Sequence, residues 1–103
     1  MAIKRQVRPS TPGEILKELF MEERGITITA LAESMGLTRK HISGIVNGRV
    51  AVTADTATKL ARVFGTTPQL WLNLQNAVDV FDSQQRLKKW KPARVYLPDG
   101  VHA

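Results

Sequence analysis

Residues 36–49, GLTRKHISGIVNGR, carry cationic and short polar side chains at helical spacing. When this stretch is plotted as a helix at about 100° per residue, its apolar residues share one arc and its polar residues occupy the other. Arginine and lysine in the first turn of such a helix can reach guanine O6 and N7, while short neighbours let the backbone approach the major groove. The pattern predicts a helix that reads DNA base edges. The residues expected to do so are Thr38, Arg39, Lys40 and Ser43.

Residues around this helix are suited to phosphate contacts, which position a protein on DNA without reading its sequence. Asn47 ends the predicted helix and Arg49 follows it, whereas His41 lies beside the outward arc. Thr27 caps the preceding helix, whose first backbone N–H groups attract anions. The predicted phosphate contacts are Thr27, Thr29, His41, Asn47 and Arg49.

The other reactive residue types form no catalytic or metal-binding pattern. The chain has no cysteine, which excludes a disulfide, a thiolate metal site and a cysteine nucleophile. His41 and His102 are far apart in the sequence, and neither has a nucleophile at a useful spacing. The glycines follow helices and form no phosphate-binding loop. We therefore expect no enzyme activity, no metal and no cofactor.

Five predicted helices position these side chains, and a threonine precedes each of them. A threonine at this place accepts a hydrogen bond from an otherwise unpaired N–H of the first turn. Most of the predicted helices are followed by a glycine, which tolerates the left-handed conformation that ends a helix. The sequence thus predicts an all-α bundle of five helices. The expected caps are Thr11, Thr27, Thr38, Thr53 and Thr67.

The second and third predicted helices form a helix-turn-helix. Ala32 is small where the two helices cross, Gly36 permits the positive φ of the turn, and Ile42 returns the third helix to the core. The first and fifth helices supply much of the remaining core. Their predicted buried residues are Ile15, Leu16, Leu19 and Phe20 in the first helix, and Leu70, Trp71, Leu74, Ala77, Val78 and Phe81 in the fifth.

With 103 residues, the chain has the size of one domain. Its net charge of +6 favours a polyanionic partner, of which nucleic acid is the most common. No stretch approaches the roughly 20 apolar residues of a membrane span, and the N-terminal residues lack the apolar stretch of a signal peptide. We expect a soluble cytoplasmic protein with no membrane partner.

Three segments are predicted along the chain. Residues 1–10 form a flexible basic arm, residues 11–82 form the DNA-binding domain, and residues 83–103 form a helix extension followed by a short extended tail. If the fifth helix continues past residue 81, it has a second apolar face that needs a cover. This face is expected to form a dimer interface, and the alternative is that it folds back on its own domain. Its residues are Leu72, Val80, Leu87 and Trp90.

Residues 11–82 resemble the HigA antitoxins, a branch of the λ-repressor-like (XRE) helix-turn-helix proteins. The resemblance rests on three motifs, PGEILKE, ISGIVNGR and ATKLARVFGTTPQLWLNLQ. It implies a λ-repressor-like fold and a homodimeric repressor that binds double-stranded operator DNA of its own operon. It also implies a partner toxin of the HigB type, an mRNA-cleaving ribonuclease that the antitoxin neutralises.

The basic N-terminal arm has two interpretations. It either becomes ordered on the toxin, which we favour, or reaches DNA as the arms of some helix-turn-helix proteins do. The residues expected to bind the toxin are Ile3, Lys4, Arg5 and Val7.

Two other functions fit the same sequence. The first is a transcription regulator of this fold that has no toxin partner. The second is a protein-interaction module in which the helix-turn-helix is only a scaffold, because a charged outward face is typical of any surface helix. A neighbouring gene for a small basic ribonuclease favours the antitoxin over the first, and binding to a specific operator favours it over the second.

Overall fold

The computed structural model describes residues 7–100 and contains five helices and no strand over this range. The first helix, α1, begins as an α-helix at Pro12–Ile15, continues as a π-helix over Leu16–Met21 and ends in a 3-10 turn at Glu22–Arg24. The all-α, five-helix prediction is therefore confirmed. The other helices are α2 (Ile28–Met35), α3 (Arg39–Val46), α4 (Ala54–Phe64) and α5 (Pro68–Arg86).

Each helix begins at the predicted threonine. In every case the hydroxyl oxygen accepts a hydrogen bond from the backbone N–H three residues ahead, so one of the four unpaired donors of the first turn is satisfied. The five caps are Thr11 with Glu14 (3.0 Å), Thr27 with Ala30 (3.1 Å), Thr38 with His41 (3.0 Å), Thr53 with Thr56 (3.3 Å) and Thr67 with Leu70 (3.2 Å).

The π-helical segment changes which residues of α1 are buried. Leu16 is fully buried and Met21, five residues later, is 4% exposed, whereas Leu19 is 51% exposed. A π-helix has more residues per turn than an α-helix because its hydrogen bonds span five residues, as the Glu22 N–H does in donating to the Lys17 carbonyl. Positions five apart therefore share a face. The prediction that Leu19 belongs to the core was wrong for this reason.

The core is centred on Trp71 of α5, which is fully buried. Its Nε1–H donates to the Thr66 hydroxyl at 2.8 Å. The centroids of the Trp71 and Phe20 rings lie 5.1 Å apart. The centroids of the Phe20 and Phe64 rings are also 5.1 Å apart, so aromatic contacts join α1, α4 and α5. Leu70 is 37% exposed and does not belong to this core as predicted, because it lies at the very start of α5.

The chain beyond α5 is exposed and has no regular structure up to residue 100. Helix α5 ends at Arg86, and a backbone hydrogen bond from the Trp90 N–H to the Leu87 carbonyl (3.0 Å) closes a short turn after it. The helix extension predicted after residue 82 is therefore one turn long. We call residues 87–100 the C-terminal tail.

Candidate nucleic-acid interface

The turn between α2 and α3 orients α3 so that its outer face points away from the core. Gly36 adopts φ 66° at the end of α2, and the Leu37 N–H donates to the Ala32 carbonyl at 3.0 Å. Ile42 and Ile45, on the inner face of α3, are almost completely buried. With its inner face fixed by this packing, α3 turns its polar face to solvent.

The predicted base-reading residues lie at the start and on the outer face of α3. Thr38, Arg39 and Lys40 are exposed, and Ser43 is half-buried. Within residues 7–100, neither cation takes part in an ion pair. Thr38 uses its hydroxyl oxygen to cap α3, which leaves its hydroxyl hydrogen free to donate to a ligand. The arrangement can offer cationic donors together with one hydroxyl donor to an incoming acceptor.

Ser43 and Asn47 form one hydrogen-bonded unit on this face. The Asn47 Nδ2–H donates to the Ser43 hydroxyl oxygen at 3.2 Å. The serine hydrogen is left to donate, and the asparagine side-chain oxygen is left to accept. A hydrogen bond thus joins Ser43, which is predicted to read bases, to Asn47, which is predicted to bind phosphate.

The chain after α3 folds back over Gly44 and places Arg49 beside the same face. The N–H groups of Arg49 and Val50 donate to the Gly44 carbonyl at 2.8 and 3.0 Å. A Cβ atom on Gly44 would lie 2.5 Å from Val50 Cγ2. The small size of Gly44 therefore serves the packing of this loop. Arg49, Lys40 and Ser43 line one shallow depression with Gly44 and Val50.

The loop that carries Arg49 is anchored to α5. The Val52 N–H donates to Gln75 Oε1 at 2.8 Å, and Gln75 Nε2–H donates to Asp79 Oδ1 at 3.0 Å. Val52 itself is 4% exposed. The loop that carries Arg49 is therefore held at one end by the Gly44 carbonyl of α3 and at the other by Gln75 of α5.

The remaining predicted phosphate contacts lie at the start of α2 and on the side of α3. Thr27 and Thr29 are exposed, and the Thr27 hydroxyl oxygen is occupied in capping α2. His41 is half-buried. All of these side chains are accessible in part, and their contacts to phosphate remain predictions.

Comparison with known proteins identifies the family. A family model described as helix-turn-helix matches residues 16–71, which include α2 and α3. Antitoxin HigA-1 of Vibrio cholerae is 48% identical over 86 residues, which are 84% of this chain and 81% of the relative. The chain belongs to the HigA family of helix-turn-helix antitoxins. A Haemophilus influenzae protein described as an uncharacterized HTH-type transcriptional regulator is 42% identical over 84% of this chain and 86% of its own length.

Solved structures of HigA-type antitoxins have the same fold. Antitoxin HigA from Pseudomonas aeruginosa, described with the higBA promoter, is 34% identical and superposes with a TM-score of 0.77 over 80% of this chain and 89% of its own. Antitoxin GraA in complex with its operator is 35% identical, with a TM-score of 0.80 over 93% of this chain and all of its own. These proteins are antitoxins rather than enzymes, which confirms the predicted non-enzymatic class.

Among residues 7–100, no group of three or more acidic or histidine side chains could hold a metal ion. Over the same residues, no helix has both the length and the apolar character that crossing a membrane requires.

Sequence reasoning missed a close contact that fixes α3 in this HigA-family domain. Gly13, in the first turn of α1, lies so close to the end of α3 that a Cβ atom there would collide with the Ile45 carbonyl oxygen. Both Gly13 and Ile45 are buried. The contact with α1 therefore fixes how closely the C-terminal end of α3 packs against α1. The only signal in the sequence is a glycine inside the first turn of a helix, where glycine is otherwise unfavourable.

An ion pair between the two ends of the domain was also missed. The Arg8 guanidinium donates to both carboxylate oxygens of Asp82, from Nε and from Nη2, at 3.0 Å each. These hydrogen bonds lower the pKa of Asp82 below its usual value. A cleft beside the pair is also lined by Gly13 and Arg49. Residues 7–10 of the predicted arm thus lie against α5, and no local pattern links two residues that are 74 positions apart.

The predicted dimer residues differ in exposure. Val80, Leu87 and Trp90 are 54%, 51% and 64% exposed, whereas Leu72 is half-buried and packs against the core. Leu72 therefore offers only part of its side chain to a partner, and its place in a dimer interface stays a prediction. Val80 lies in an open groove that is also lined by Pro9, Asn73, Asn76, Ala77, Phe81 and Gln84.

The predicted toxin-binding residues lie mostly beyond what the structure describes. Ile3, Lys4 and Arg5 are outside residues 7–100. Val7 is 73% exposed. An apolar side chain with this exposure is available to a partner.

Proposed function

We propose that this HigA-family protein binds an operator of its own operon as a homodimer, represses that operon and neutralises a HigB-type ribonuclease toxin. The observation that carries the DNA-binding part is the outer face of α3, where exposed Arg39 and Lys40 stand on a helix whose other face is fixed in the core. The operator complex of GraA and the promoter-associated HigA from Pseudomonas aeruginosa support it, since both share this fold.

The side chains of the α3 face divide the recognition of DNA between them. Arg39 and Lys40 reach base edges from the first turn of the helix, and Ser43 adds a short hydroxyl donor. Arg49 and Asn47 bind phosphate at the other end of α3 and fix the register of the helix in the groove. Thr27, Thr29, Thr38 and His41 complete the set of predicted contacts.

Dimerisation uses the groove around Val80. All residues that line it from α5 are uncharged, so two copies of this face can meet without repulsion between like charges. On α5 these residues are spaced by three, four and seven positions, which places them on one stripe of the helix. A symmetric pair of recognition helices then fits two half-sites about one turn of DNA apart. Leu87 and Trp90 lie beyond the end of α5 and contribute only at the edge of this interface.

Sedimentation analysis tests this interface. The Val80→Glu variant is expected to sediment as a monomer, because each copy would bring a carboxylate into an apolar contact. The control is Leu19→Glu, which changes a side chain of similar exposure on α1. Loss of the dimer in both variants, or in neither, would place the interface elsewhere.

Toxin binding involves the N-terminal arm around Val7. Calorimetric titration of the protein with the product of a neighbouring ribonuclease gene tests it, and Val7→Asp is expected to weaken binding. A second candidate, a regulator without a toxin, is favoured by the Haemophilus influenzae relative, which is described as a transcriptional regulator. That candidate is supported if no such gene adjoins this one and the arm can be removed without loss of repression.

Fluorescence anisotropy tests the DNA-binding part directly. The full-length protein is titrated with duplex DNA from its own upstream region and with a scrambled duplex at about 150 mM salt. Specific binders typically prefer their site by at least about 10³-fold under such conditions, and we expect a preference of this size. Equal affinity for the two duplexes would refute operator binding and favour the protein-interaction module.

A further inference from the structure

The net positive charge of the chain lies outside its folded domain. From the first residue of the α1 cap to the end of α5, residues 11–86 contain eight lysine and arginine residues and eight aspartate and glutamate residues. Residues 87–98, which follow α5, contain four basic residues and no acidic one. The domain that carries α3 is therefore close to neutral, although the whole chain has a net charge of +6. Any long-range attraction to a polyanion must come mainly from the ends of the chain.

The basic residues near the C-terminus are fully available. Every residue from 84 to 100 is exposed. Within residues 7–100 the one ion pair is that of Arg8 with Asp82, so none of these cations is neutralised by a salt bridge. The Arg94 guanidinium lies 5.9 Å from the centre of the Tyr96 ring, a contact that leaves its charge intact. We call this set the basic cluster, and its members are Arg86, Lys88, Lys89, Lys91 and Arg94.

The α3 face has fewer cations than the basic cluster. Arg39, Lys40 and Arg49 are the three basic side chains placed there. Each phosphate neutralised by a cation changes the slope of log K against log salt by about −0.9 through counterion release. Five cations can therefore contribute more of the salt-dependent affinity than three.

We infer that the basic cluster binds the phosphates of double-stranded DNA outside the base pairs that α3 reads, without regard to sequence. The inference rests on the proposed function, because α3 must first bring the tail to a duplex. Arg49, beside the α3 face, and Asp82, near the end of α5, line the same cleft, so the tail begins close to that face. Once α3 is bound, the contacts of the tail with DNA therefore form at a high effective concentration. Duplex DNA carries one negative charge per about 1.7 Å, a density that suits five cations within nine residues.

The test compares two variants with the same change in net charge. The tail variant is Lys88→Gln, Lys89→Gln and Lys91→Gln, and the control variant is Lys17→Gln, Lys59→Gln and Arg62→Gln. All six side chains are exposed, and none forms an ion pair within residues 7–100. Affinity for the operator duplex, a scrambled duplex and a single-stranded oligonucleotide is measured by anisotropy between about 50 and 200 mM salt, the range over which phosphate contacts lose affinity steeply.

The tail variant is expected to bind both duplexes more weakly by the same factor, with the preference for operator unchanged. Its salt slope should fall by about 2 to 3 for each protomer bound, since three phosphate contacts are lost in every copy. The control variant should retain the parental slope. Equal slope changes in the two variants would overturn the inference, because the effect would then reflect net charge alone. A tail variant that loses affinity only for the single-stranded oligonucleotide would overturn it as well.

Two further readouts keep this result separate from other failures. The tail variant should sediment like the parent and melt at the same temperature, and conversion to a monomer would instead assign the cluster to the dimer interface and overturn the inference. The proposed operator binding is judged by the parent's preference for operator over scrambled DNA. The basic cluster is judged by the slope on both duplexes, so either proposal can fail without the other.

Discussion

The folded domain of residues 11–86 and the C-terminal tail of residues 87–100 differ in the physical property each contributes. The domain is nearly neutral, and its contacts are apolar packing, helix caps and hydrogen bonds between loops and helices. The tail is exposed throughout and carries most of the basic residues near the C-terminus. The packed structure and the excess of positive charge therefore lie in different parts of this chain.

A physical reason supports this separation. Reading base edges requires side chains held within hydrogen-bonding distance of defined atoms, and only a packed helix can hold them so. Attraction to phosphate depends on the number of cations and tolerates motion. The domain therefore needs few, well-placed cations, and a tail without regular structure can supply the others.

The largest expected difference between the two regions is in their tryptophans. Trp71→Ala should lower the free energy of unfolding by about 3–5 kcal/mol, because it removes a fully buried ring and the hydrogen bond to Thr66. Trp90→Ala, the same change at a side chain 64% exposed, should stay within about 0.5 kcal/mol. Urea unfolding followed by circular dichroism measures both. A comparable loss for Trp90 would mean that its ring is buried in the dimer.

Glycine substitutions test the same difference in packing between the domain and the tail. Gly13→Ala should cost about 2–3 kcal/mol of unfolding free energy, because the new methyl group meets the Ile45 carbonyl and pushes α1 and α3 apart. Gly100→Ala strains a backbone with φ 81°, but the residue lies in the exposed tail, where nothing packs against it, so the melting temperature should not change. Operator affinity should also fall for Gly13→Ala, since α3 moves. Unchanged melting of this variant would show that α1 can shift without loss.

Arginine substitutions separate the reading of sequence from attraction to phosphate. Arg39→Ala should weaken operator binding by about 1–3 kcal/mol and reduce the preference over scrambled DNA. Arg49→Ala and Arg94→Ala should weaken both duplexes about equally, because phosphate contacts carry no sequence information. Anisotropy on the two duplexes measures these effects. Equal losses on operator and scrambled DNA for Arg39→Ala would remove it from the base-reading set.

The smallest expected effect is that of the ion pair which ties Arg8 to α5. Since the pKa of Asp82 is lowered in the folded protein, the pair stabilises the fold above the usual carboxylate pKa of about 3.9, and this stabilisation disappears as the pH falls through the lower folded value. The pair is exposed to solvent, so the effect on melting temperature should be slight.

The measurement is melting temperature against pH for Asp82→Asn and for Asp99→Asn in the tail. The parent should melt above the Asp82 variant at neutral pH, and the two curves should converge in strong acid. Asp99→Asn should follow the parent throughout. A difference between the parent and Asp82→Asn that stays constant down to strong acid would contradict the ion-pair explanation.

Most of the architecture could be predicted from local patterns. All five capping threonines occupy the expected positions, since a cap depends only on a hydroxyl and an N–H three residues away. The turn at Gly36 and the buried face of α3 were predicted as well. The π-helical segment of α1 was not, because its register depends on what the helix packs against, and this reversed the burial expected of Leu19.

The candidate site could be predicted in composition but not in its internal contacts. Arg39, Lys40 and Ser43 belong to the exposed or half-exposed face of α3, as helical spacing indicates. The positions of Gly44 and Arg49 depend on a loop that folds back and is held by Gln75 of α5. Such contacts join residues whose separation in the sequence leaves no periodic signal.

Helix positions, the turn and the distribution of charge followed from the amino-acid sequence alone, because each depends on residues within one or two helical turns or on simple composition. Three features were decided by the tertiary structure alone. They are the distance between α3 and α1, the position of Arg49 beside α3, and the ion pair of Arg8 with Asp82. These features arise where separate helices press against one another, and steric fit between distant segments is not encoded in any local pattern.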